Sequence, residues 1–332
     1  MRGSEIRSLR RSLALTQASL GLRIGVHGCT VGRWEREVHK PRPAYLAKLS
    51  ELGGGPSAQE APARVPNRPT KAEHSGQGWQ VYTGDCLDRL PALPDGAFDA
   101  LIADAPYCSG GLHLGTKQQK TQRKYQQNGV IFRRQDFDGD QRDQLAFIAF
   151  LTEALRRCAR VVRRGGLVAV FSDWRQQGAT QTAMQAAGFV LRGCAVWDKT
   201  EGARPVPSRL RNQAEFIHWG SKGDLPADRA IPTQGGVFRC PVRPADKFHL
   251  TGKPTEVMRW LVRQVRPAGR ILDPFAGSGS TGVAALLEGR AFTGIELDPH
   301  NAQIAAQRLA AAERGKLLDA RRLQVIGHPA CA

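Results

Sequence analysis

Asp104, Ala105, Pro106 and Tyr107 follow the apolar run Leu101–Ala103 in an order that could hold a flat base bearing an amine. The Asp104 carboxylate and the Ala105 carbonyl can each accept one N–H of an exocyclic amine, while the Tyr107 ring can stack on the base. Open α/β sheets bind ligands at the carboxyl ends of their strands, where this segment is expected. A turn in which Pro106 only ends a strand is the alternative for the four residues taken alone.

A second candidate site is a run of small residues between a predicted strand and a predicted helix near the C-terminus. Gly277, Gly279 and Gly282 match the G-x-G-x-x-G pattern of dinucleotide-binding loops. An ordinary dehydrogenase does not fit, because its fold needs several βαβ units after this pattern and only about 50 residues follow. The next predicted strand ends at Glu296, whose carboxylate could accept hydrogen bonds from both ribose hydroxyls of an adenosine. Together these features favour a nucleoside ligand.

The charge balance indicates a polyanionic partner. The chain holds 48 Lys and Arg against 30 Asp and Glu, a formal charge of +18, and basic surface gains affinity by releasing the counterions of phosphates. A merely basic soluble enzyme is the alternative. The basic segment 108–142 is a candidate for such contacts and also carries the aromatic residues Tyr125 and Phe132. A solvated flexible loop is the alternative interpretation of this segment. The candidate nucleic-acid contacts predicted from charge are Lys117, Lys120, Arg123, Lys124, Arg133 and Arg134 in segment 108–142.

Cysteine usage and hydropathy exclude several classes of protein. Seven cysteines without a C-x-x-C pair argue against a disulfide framework and a zinc ribbon, and no metal site is expected. The basic start, Met1–Arg11, lacks the apolar core of a signal peptide, and no apolar run approaches the roughly 18 residues that span a bilayer. We expect a soluble, cytoplasmic protein with reduced thiols and no membrane partner.

Composition divides the chain into four parts. Residues 1–52 have a helical pattern, 53–78 are a Gly- and Pro-rich linker, 79–318 alternate between β-rich and helical runs, and 319–332 form a tail. The alternation predicts a mostly parallel sheet covered by helices.

The predicted elements fill most of the main domain. No crossover helix fits between the fourth and fifth strands, so these two are expected to be antiparallel neighbours at a sheet edge. The predicted strands are Gln80–Thr83, Phe98–Ala103, Leu167–Phe171, Val190–Trp197, Glu215–Gly220, Arg270–Asp273 and Phe292–Glu296. The predicted helices are Asp143–Arg163, Trp174–Ala187, Thr255–Val265, Thr281–Leu287 and Pro299–Ala312.

The N-terminal part contains two short predicted helices joined by a turn at Gly25, a helix-turn-helix signature. The second helix should run from about Gly28 to Glu35, with Val31 and Trp34 inward. The string TQASLGLRIGVHGCTVGRWE resembles the repressor-type helix-turn-helix family over residues 4–52. That resemblance implies an all-α module whose second helix enters the major groove of double-stranded DNA. A small helical bundle used for dimerisation is the alternative, so a homodimer stays open. The second helix would present His27, Gly28, Cys29, Thr30 and Arg33 to the DNA, with Thr30 and Arg33 as the DNA-binding candidates.

Several motifs in consistent order carry a further resemblance. They are Gly84-Asp85-Cys86, the Asp104–Tyr107 turn, His249-Leu250-Thr251-Gly252-Lys253-Pro254 and the string DPFAGSGST, with FSDWRQ, VWDKT and RNQAEFIHWGSKG between them. Over residues 79–312 they resemble the DNA amino-methyltransferases of the β-arranged group, which methylate adenine N6 or cytosine N4. The resemblance implies a Rossmann-like S-adenosylmethionine-dependent methyltransferase fold, an α/β domain with a circularly ordered, mixed seven-stranded sheet. The family has its variable recognition region in the part that corresponds to segment 200–248, so the resemblance also makes Arg204, Arg209 and Arg211 candidate DNA contacts.

The resemblance also implies a role for individual residues. Glu296 would hold the ribose of S-adenosylmethionine and Asp85 its adenine amine, although Asp85 could instead cap a helix. Lys253 would meet the carboxylate of the donor by charge, helped by hydrogen bonds from His249 and Thr251, although His249 could be an ordinary loop histidine. The catalytic residues would be Asp104, Ala105, Pro106 and Tyr107. The cofactor-binding residues would be Asp85, Cys86, Asp104, His249, Thr251, Lys253, Asp273, Phe275, Gly277, Ser278, Gly279, Ser280, Thr281 and Glu296.

The implied chemistry is methyl transfer to the amine of a flipped base. Two acceptors that pull the N–H bonds out of the ring plane would localise the nitrogen lone pair toward the methyl group. A C5-cytosine enzyme needs a Pro-Cys nucleophile, and here Tyr107 separates Pro106 from Cys108. Asp104 resembles the adenine-directed members, whereas cytosine-N4 members tend to carry Ser, so we expect adenine N6 and leave cytosine N4 open.

The residue Ala105 departs from the Asp-Pro-Pro-Tyr of the family and motivates a second hypothesis. The chain could be a DNA-binding regulator whose methyltransferase fold no longer catalyses. Methylation of protein or RNA is disfavoured by the helix-turn-helix and the motif order. The recognition sequence and any restriction partner are not encoded in a visible motif.

Overall fold

The fold was obtained as a computed structural model that divides into two compact units, Met1–Asn67 and Arg68–Ala332. We describe each unit by itself. The described residues are 71–107, 144–203, 211–226, 231–242 and 252–320, positions 205, 208, 210, 244–246 and 248, and 2–13, 28–38 and single positions within the first 52.

The N-terminal unit contains the helices α1, Gly3–Ser12, and α2, Gly28–Glu35. The predicted second helix is confirmed, and Val31 and Trp34 are buried as expected. Glu35 is also buried, where Arg10 Nε donates to it at 2.5 Å and Gln17 Nε2 at 2.8 Å. Among the residues described in this unit, the buried hydrophobic cluster consists of Ile6, Leu20, Ile24, Val31, Trp34 and Leu49.

The second unit is built on a mixed sheet of nine described strands. Their order across the sheet is β1-β2-β9-β8-β3-β4-β6-β5-β7. The five strands from β2 to β4 in this order are parallel, whereas β6 runs antiparallel to both β4 and β5. The strands are β1 (His74–Gly76), β2 (Trp79–Thr83), β3 (Phe98–Ala103), β4 (Val162–Ser172), β5 (Val190–Asp198), β6 (Ala214–Ser221), β7 (Val237–Arg239), β8 (Arg270–Asp273) and β9 (Ala291–Glu296).

All seven predicted strands are present, and the antiparallel pairing of the fourth and fifth is confirmed as β5 with β6. The expected count of seven is wrong because β1 and β7 add two strands of three residues each, too short to show a periodic pattern. Strand β1 lies inside the range 53–78 assigned to the linker and pairs with β2. The sheet of the main domain therefore begins before residue 79.

Helices cover both faces of the sheet, and β3 is buried against both, with Ala100 and Ile102 on one face and Leu101 and Ala103 on the other. Helices α3 to α5 share a core cluster on the second face, and α6 to α8 share the cluster on the first. The helices are α3 (Cys86–Arg89), α4 (Gln144–Val161), α5 (Gln177–Ala186), α6 (Thr255–Val262), α7 (Ser280–Leu287) and α8 (Pro299–Glu313), with 3-10 turns at Leu90–Ala92 and Pro244–Asp246.

One predicted boundary is corrected by tertiary pairing. The helix expected to continue to Arg163 ends at Val161, because Val162 already pairs with Phe98 at the start of the β3–β4 ladder. That pairing contains a register irregularity between Phe98 and Ala100. A contact between residues 64 positions apart leaves no trace in helical periodicity.

The topology brings acidic residues to one edge of the sheet. The parallel strands β3, β8 and β9 end there, followed or terminated by Asp104, Asp273 and Glu296. Because β6 is antiparallel to β4, its first residues lie at this same edge, and Glu215 is among them. The described helices are all too short or too polar to cross a membrane.

Candidate active site

The turn after β3 holds Asp104 in a network of charged and polar side chains. Lys253 Nζ lies 2.6 Å from Asp104 Oδ2, and the Tyr107 hydroxyl donates to Asp104 Oδ1 at 2.9 Å. The same hydroxyl is 3.2 Å from Glu215 Oε2. Ala105 is buried between Asp104 and Pro106, in the same core cluster as Leu101 and Ala103. Asp104 is therefore oriented on both of its oxygens.

Lys253 is a buried cation between two carboxylates. It precedes α6, its side chain is only 5% exposed, and its Nζ also lies 3.3 Å from Glu215 Oε2. The ammonium lies 5.2 Å from the ring centroids of both Tyr107 and Phe171, a distance at which cation–π attraction operates. The structure thus places Lys253 beside the Asp104–Tyr107 turn, whereas the resemblance predicts it at the carboxylate of the donor.

Glu215 was not singled out from the sequence. It stands on β6 opposite Trp197 of β5, and its Oε1 lies 2.7 Å from Lys199 Nζ, just beyond the end of β5. The available signal was the predicted antiparallel pairing of these two strands, which brings the start of one and the end of the other to the carboxyl edge of the parallel strands.

Burial and charge perturb the acid–base groups of this network. Burial raises the pKa of Asp104, an effect that the Lys253 ammonium opposes. The pKa of Glu215 is lowered to about 2, since Lys253 and Lys199 together outweigh its burial. The pKa of Lys253 is raised because Asp104 and Glu215 outweigh its desolvation. Burial and the two carboxylates raise the pKa of Tyr107, so its phenol keeps its proton.

The glycine loop follows β8 and is fastened to it through Asp273. Thr281 Oγ1 donates to Asp273 Oδ2 at 2.5 Å, and the Phe275 amide donates to Oδ1 at 3.0 Å. Gly279 precedes α7 with φ +81°, a left-handed conformation that favours glycine, and an added Cβ would lie 3.0 Å from Ala305. Burial raises the pKa of Asp273 to about 7.

Glu296 links the end of β9 to this loop. Its Oε2 accepts from the Gly277 amide at 2.7 Å and its Oε1 from the Asp298 amide at 3.0 Å. Gly277 has φ +53°, and no atom lies within 4 Å of the Cβ that a side chain would add there. Burial raises the pKa of Glu296. The loop therefore has an open side next to a half-buried carboxylate.

Arg308 supports the glycine loop from α8, a contact that is not among the sequence predictions. It is 4% exposed, and its guanidinium donates to the Ser278 carbonyl at 2.6 Å, to Ser278 Oγ at 3.1 Å and to Ser280 Oγ at 3.2 Å. The guanidinium also lies 4.0 Å from the ring centroid of Phe248. An arginine in an amphipathic helix gives no sequence signal that it is turned inward.

A family model of DNA methylases, those acting on N6 or N4 amines, matches residues 98–307, which is more than half of the chain. The chain belongs to this family. It is therefore a DNA methyltransferase, as the order of its motifs predicts. The match includes both the Asp104 turn and the glycine loop.

Two relatives support the assignment of this methylase. YubD of Escherichia coli (strain K12), a protein named as a methylase, is 29% identical over 232 residues, which cover 70% of the chain and 90% of YubD. The type II methyltransferase M.HinfI of Haemophilus influenzae is 25% identical over 254 residues, which cover 69% of the chain and 67% of M.HinfI.

Solved structures show the same fold as the methylase domain. One is TTHA0409 of Thermus thermophilus, described as a DNA modification methylase and complexed with S-adenosyl-L-methionine, with a TM-score of 0.52 at 22% identity over 72% of this chain and 97% of that chain. Another is the cytosine-N4-specific PvuII DNA methyltransferase, with a TM-score of 0.53 at 14% identity over 71% of this chain and 86% of that chain. The Rossmann-like methyltransferase fold is thereby confirmed.

Of the remaining predicted site residues of the methylase, some are described by the structure and the others lie outside the described residues. Asp85 accepts from the Leu87 amide at 2.8 Å and so caps α3, the alternative considered for it, and Cys86 is buried behind it. Arg211 donates to the carbonyls of Glu201 and Ala203. The predicted residues outside the described ones are His27, Lys117, Lys120, Arg123, Lys124, Arg133, Arg134, Arg204, Arg209, His249 and Thr251.

Proposed function

We propose that this methylase transfers a methyl group from S-adenosylmethionine to adenine N6 in double-stranded DNA, with the base flipped out of the helix. The observation that carries the proposal is the placement of Asp104. Its carboxylate lies at the carboxyl edge of β3, paired with Lys253 and hydrogen-bonded by Tyr107. The glycine loop begins at the same edge, on the neighbouring strand β8.

The residues near the glycine loop fit a nucleoside-bearing donor. The open side of Gly277 could accommodate the ligand without a steric clash, and the neighbouring Glu296 carboxylate could accept hydrogen bonds from ribose hydroxyls. S-adenosylmethionine, when bound, supplies an electrophilic methyl group on a sulfonium. Lys253 is engaged by Asp104 and Glu215, so the carboxylate of the donor is expected to rely on other groups of this edge.

The chain's own residues prepare the amine. Asp104 and the Ala105 carbonyl each accept one N–H, which draws the hydrogens out of the ring plane and localises the lone pair. The Lys253 ammonium opposes the rise that burial causes in the pKa of Asp104 and so favours the ionised carboxylate. The methylated amine releases a proton. The raised pKa of Asp104 suits its Oδ1 or Oδ2 to accept and hold that proton. The Tyr107 ring is available to stack on the base.

Adenine is favoured over cytosine by the carboxylate at position 104, which resembles adenine-directed members of the family. The test is incubation of duplexes of mixed sequence with donor labelled in its methyl group, followed by digestion to nucleosides. We expect label in N6-methyladenine. Label in N4-methylcytosine would overturn the choice of base, and unlabelled DNA would overturn the proposed activity.

We further propose that the N-terminal unit is a helix-turn-helix that contacts DNA through α2. Arg33 is exposed on this helix, and Thr30 is half-buried. In the full chain, Arg33→Ala should weaken binding to DNA and reduce the slope of log binding constant against log salt by about 1, as expected for one lost phosphate contact. Arg11→Ala, also exposed but on α1, is the matched control. Equal effects of the two substitutions would contradict the proposal.

A further inference from the structure

Glu215 lies between two lysines and next to the catalytic turn. Its Oε1 is 2.7 Å from Lys199 Nζ, and its Oε2 is 3.3 Å from Lys253 Nζ and 3.2 Å from the Tyr107 hydroxyl. The side chain is only 13% exposed. These contacts join Glu215 to Asp104 through two separate partners, Lys253 and Tyr107.

The first path is electrostatic. Along the network the charges alternate in sign, from Lys199 through Glu215 and Lys253 to Asp104. Two carboxylates share the Lys253 ammonium, so Asp104 does not neutralise a buried cation alone. A carboxylate that neutralises only part of the lysine charge is a better acceptor for an amine N–H, because its lone pairs are less polarised toward the lysine.

The second path is a choice of acceptor for one proton. The phenol of Tyr107 has a single O–H, and both Asp104 Oδ1 and Glu215 Oε2 lie within hydrogen-bond distance of it. When the hydroxyl donates to Glu215, the lone pairs of Asp104 Oδ1 become available to a substrate amine. Glu215 can therefore release Asp104 from Tyr107 without leaving the buried phenol unsatisfied.

We propose that Glu215 is a positioning residue of the methyl transfer, acting through Lys253 and Tyr107 to keep Asp104 available to the target amine. This inference rests on the proposed function, since it assigns Asp104 to the amine. Lys199, just beyond the end of β5, pairs with Glu215 and is the member of the charged network farthest along it from Asp104.

The test compares Glu215→Gln with the parent in single-turnover methylation of duplex DNA by the full chain. Glutamine keeps the size and an acceptor oxygen but removes the charge. We expect the rate at saturating donor and DNA to fall about tenfold or more, with the affinities for both within about twofold of the parent. Glu153→Gln removes the same charge from an exposed position on α4, paired with Arg156 and Arg157, and should leave the rate unchanged.

The pH profile separates positioning from a structural role. Asp104 is faced by Lys253 from the segment before α6, Glu215 from β6, Tyr107 from its own turn and Asp273 from β8. Removing the negative charge of Glu215 lowers the pKa of Asp104 and also that of Lys253, so both limbs of the rate profile should move to lower pH. Lys199→Met removes a positive charge instead, so its acidic limb should move to higher pH with a smaller loss of rate.

Three outcomes would overturn the inference while the parent is active. They are a Glu215→Gln rate within twofold of the parent, a slower variant with an unmoved pH profile, and an effect that Glu153→Gln reproduces. If Glu215→Gln does not fold, Lys199→Met decides, and an unmoved acidic limb then counts against the inference. A parent that labels no DNA overturns the proposed function instead.

Discussion

Two carboxylates lie on neighbouring strands at the same edge of the sheet and are stabilised in opposite ways. Asp104, after β3, is paired with a buried lysine from 149 residues away. Asp273, at the end of β8, accepts only from a hydroxyl and an amide within eight residues of itself in the contacts described. The first arrangement holds a carboxyl group beside a compensating cation, whereas the second uses a carboxyl group to fasten a loop. Position at a strand end thus decides where an acid lies, and its partners decide what it can do.

The largest effect is expected from removing the carboxylate of Asp104, the member of this pair that is bound to a lysine. Asp104→Ala should reduce the single-turnover rate by about 100–1,000-fold, the usual loss when one oriented polar group is deleted from a transition state. Folding and donor affinity should persist, because Asp273 and the glycine loop are unaffected. Asp95→Ala, which removes an exposed carboxylate paired with Arg160, serves as the control. Activity within twofold of the parent would contradict the role of Asp104.

The glycine loop that Asp273 fastens is also held by Arg308. Arg308→Met keeps an unbranched side chain but removes the donors to Ser278 and Ser280. We expect the free energy of unfolding to fall by about 2 kcal/mol, since hydrogen bonds from a charged group are lost in a buried site. Donor affinity, measured by calorimetry, should fall with it. Arg314→Met at the exposed end of α8 should change neither quantity, and equal losses in both variants would contradict this role.

A third prediction concerns the pH dependence of stability. The pKa of Asp273 is raised to about 7 in the folded protein from an ordinary value of 3.8, so the folded state binds the proton more tightly than the unfolded state. Its contribution to stability is full below about pH 4 and is lost as the pH rises through 7, by at most about 1.4 kcal/mol per pH unit. Asp273→Asn, which mimics the protonated carboxyl, should flatten this part of the profile in urea titrations. An unchanged slope would contradict the assignment.

The smallest effect is expected at Ala105. Its backbone carbonyl is what the proposed chemistry uses, and the residue precedes Pro106, which biases it toward extended backbone. Ala105→Pro would further restrict φ at this position and the conformation of Asp104. We expect the single-turnover rate on adenine- and cytosine-containing duplexes to change by no more than about tenfold, or about 1.4 kcal/mol of barrier. An inactive parent with a fast variant would show that Ala105 disables the turn.

The sequence was sufficient for features whose causes are local. The strands Phe98–Ala103 and Arg270–Asp273 were predicted with the bounds that the structure shows, because each contains a short run of apolar residues that is buried in the sheet, Ala100–Ala103 and Ile271–Leu272. The order of the motifs around Asp104 and Gly277 likewise predicted the methyltransferase fold and the family. The N-cap role of Asp85 was also foreseeable as an alternative, since capping involves only the next few residues.

Tertiary structure alone decided which groups surround Asp104. Lys253 and Glu215 are 149 and 108 residues away from the residues of the Asp104–Tyr107 turn that they contact. Glu215 lies there because β6 runs antiparallel to β4, and Lys253 comes from the segment before α6. Arg308 faces the glycine loop for a similar reason, as the packing of α8 against α7 turns it inward. Residue types and spacing determine chemistry that a short segment can perform by itself. The charge state of a buried acid depends on partners that only the folded sheet brings within reach.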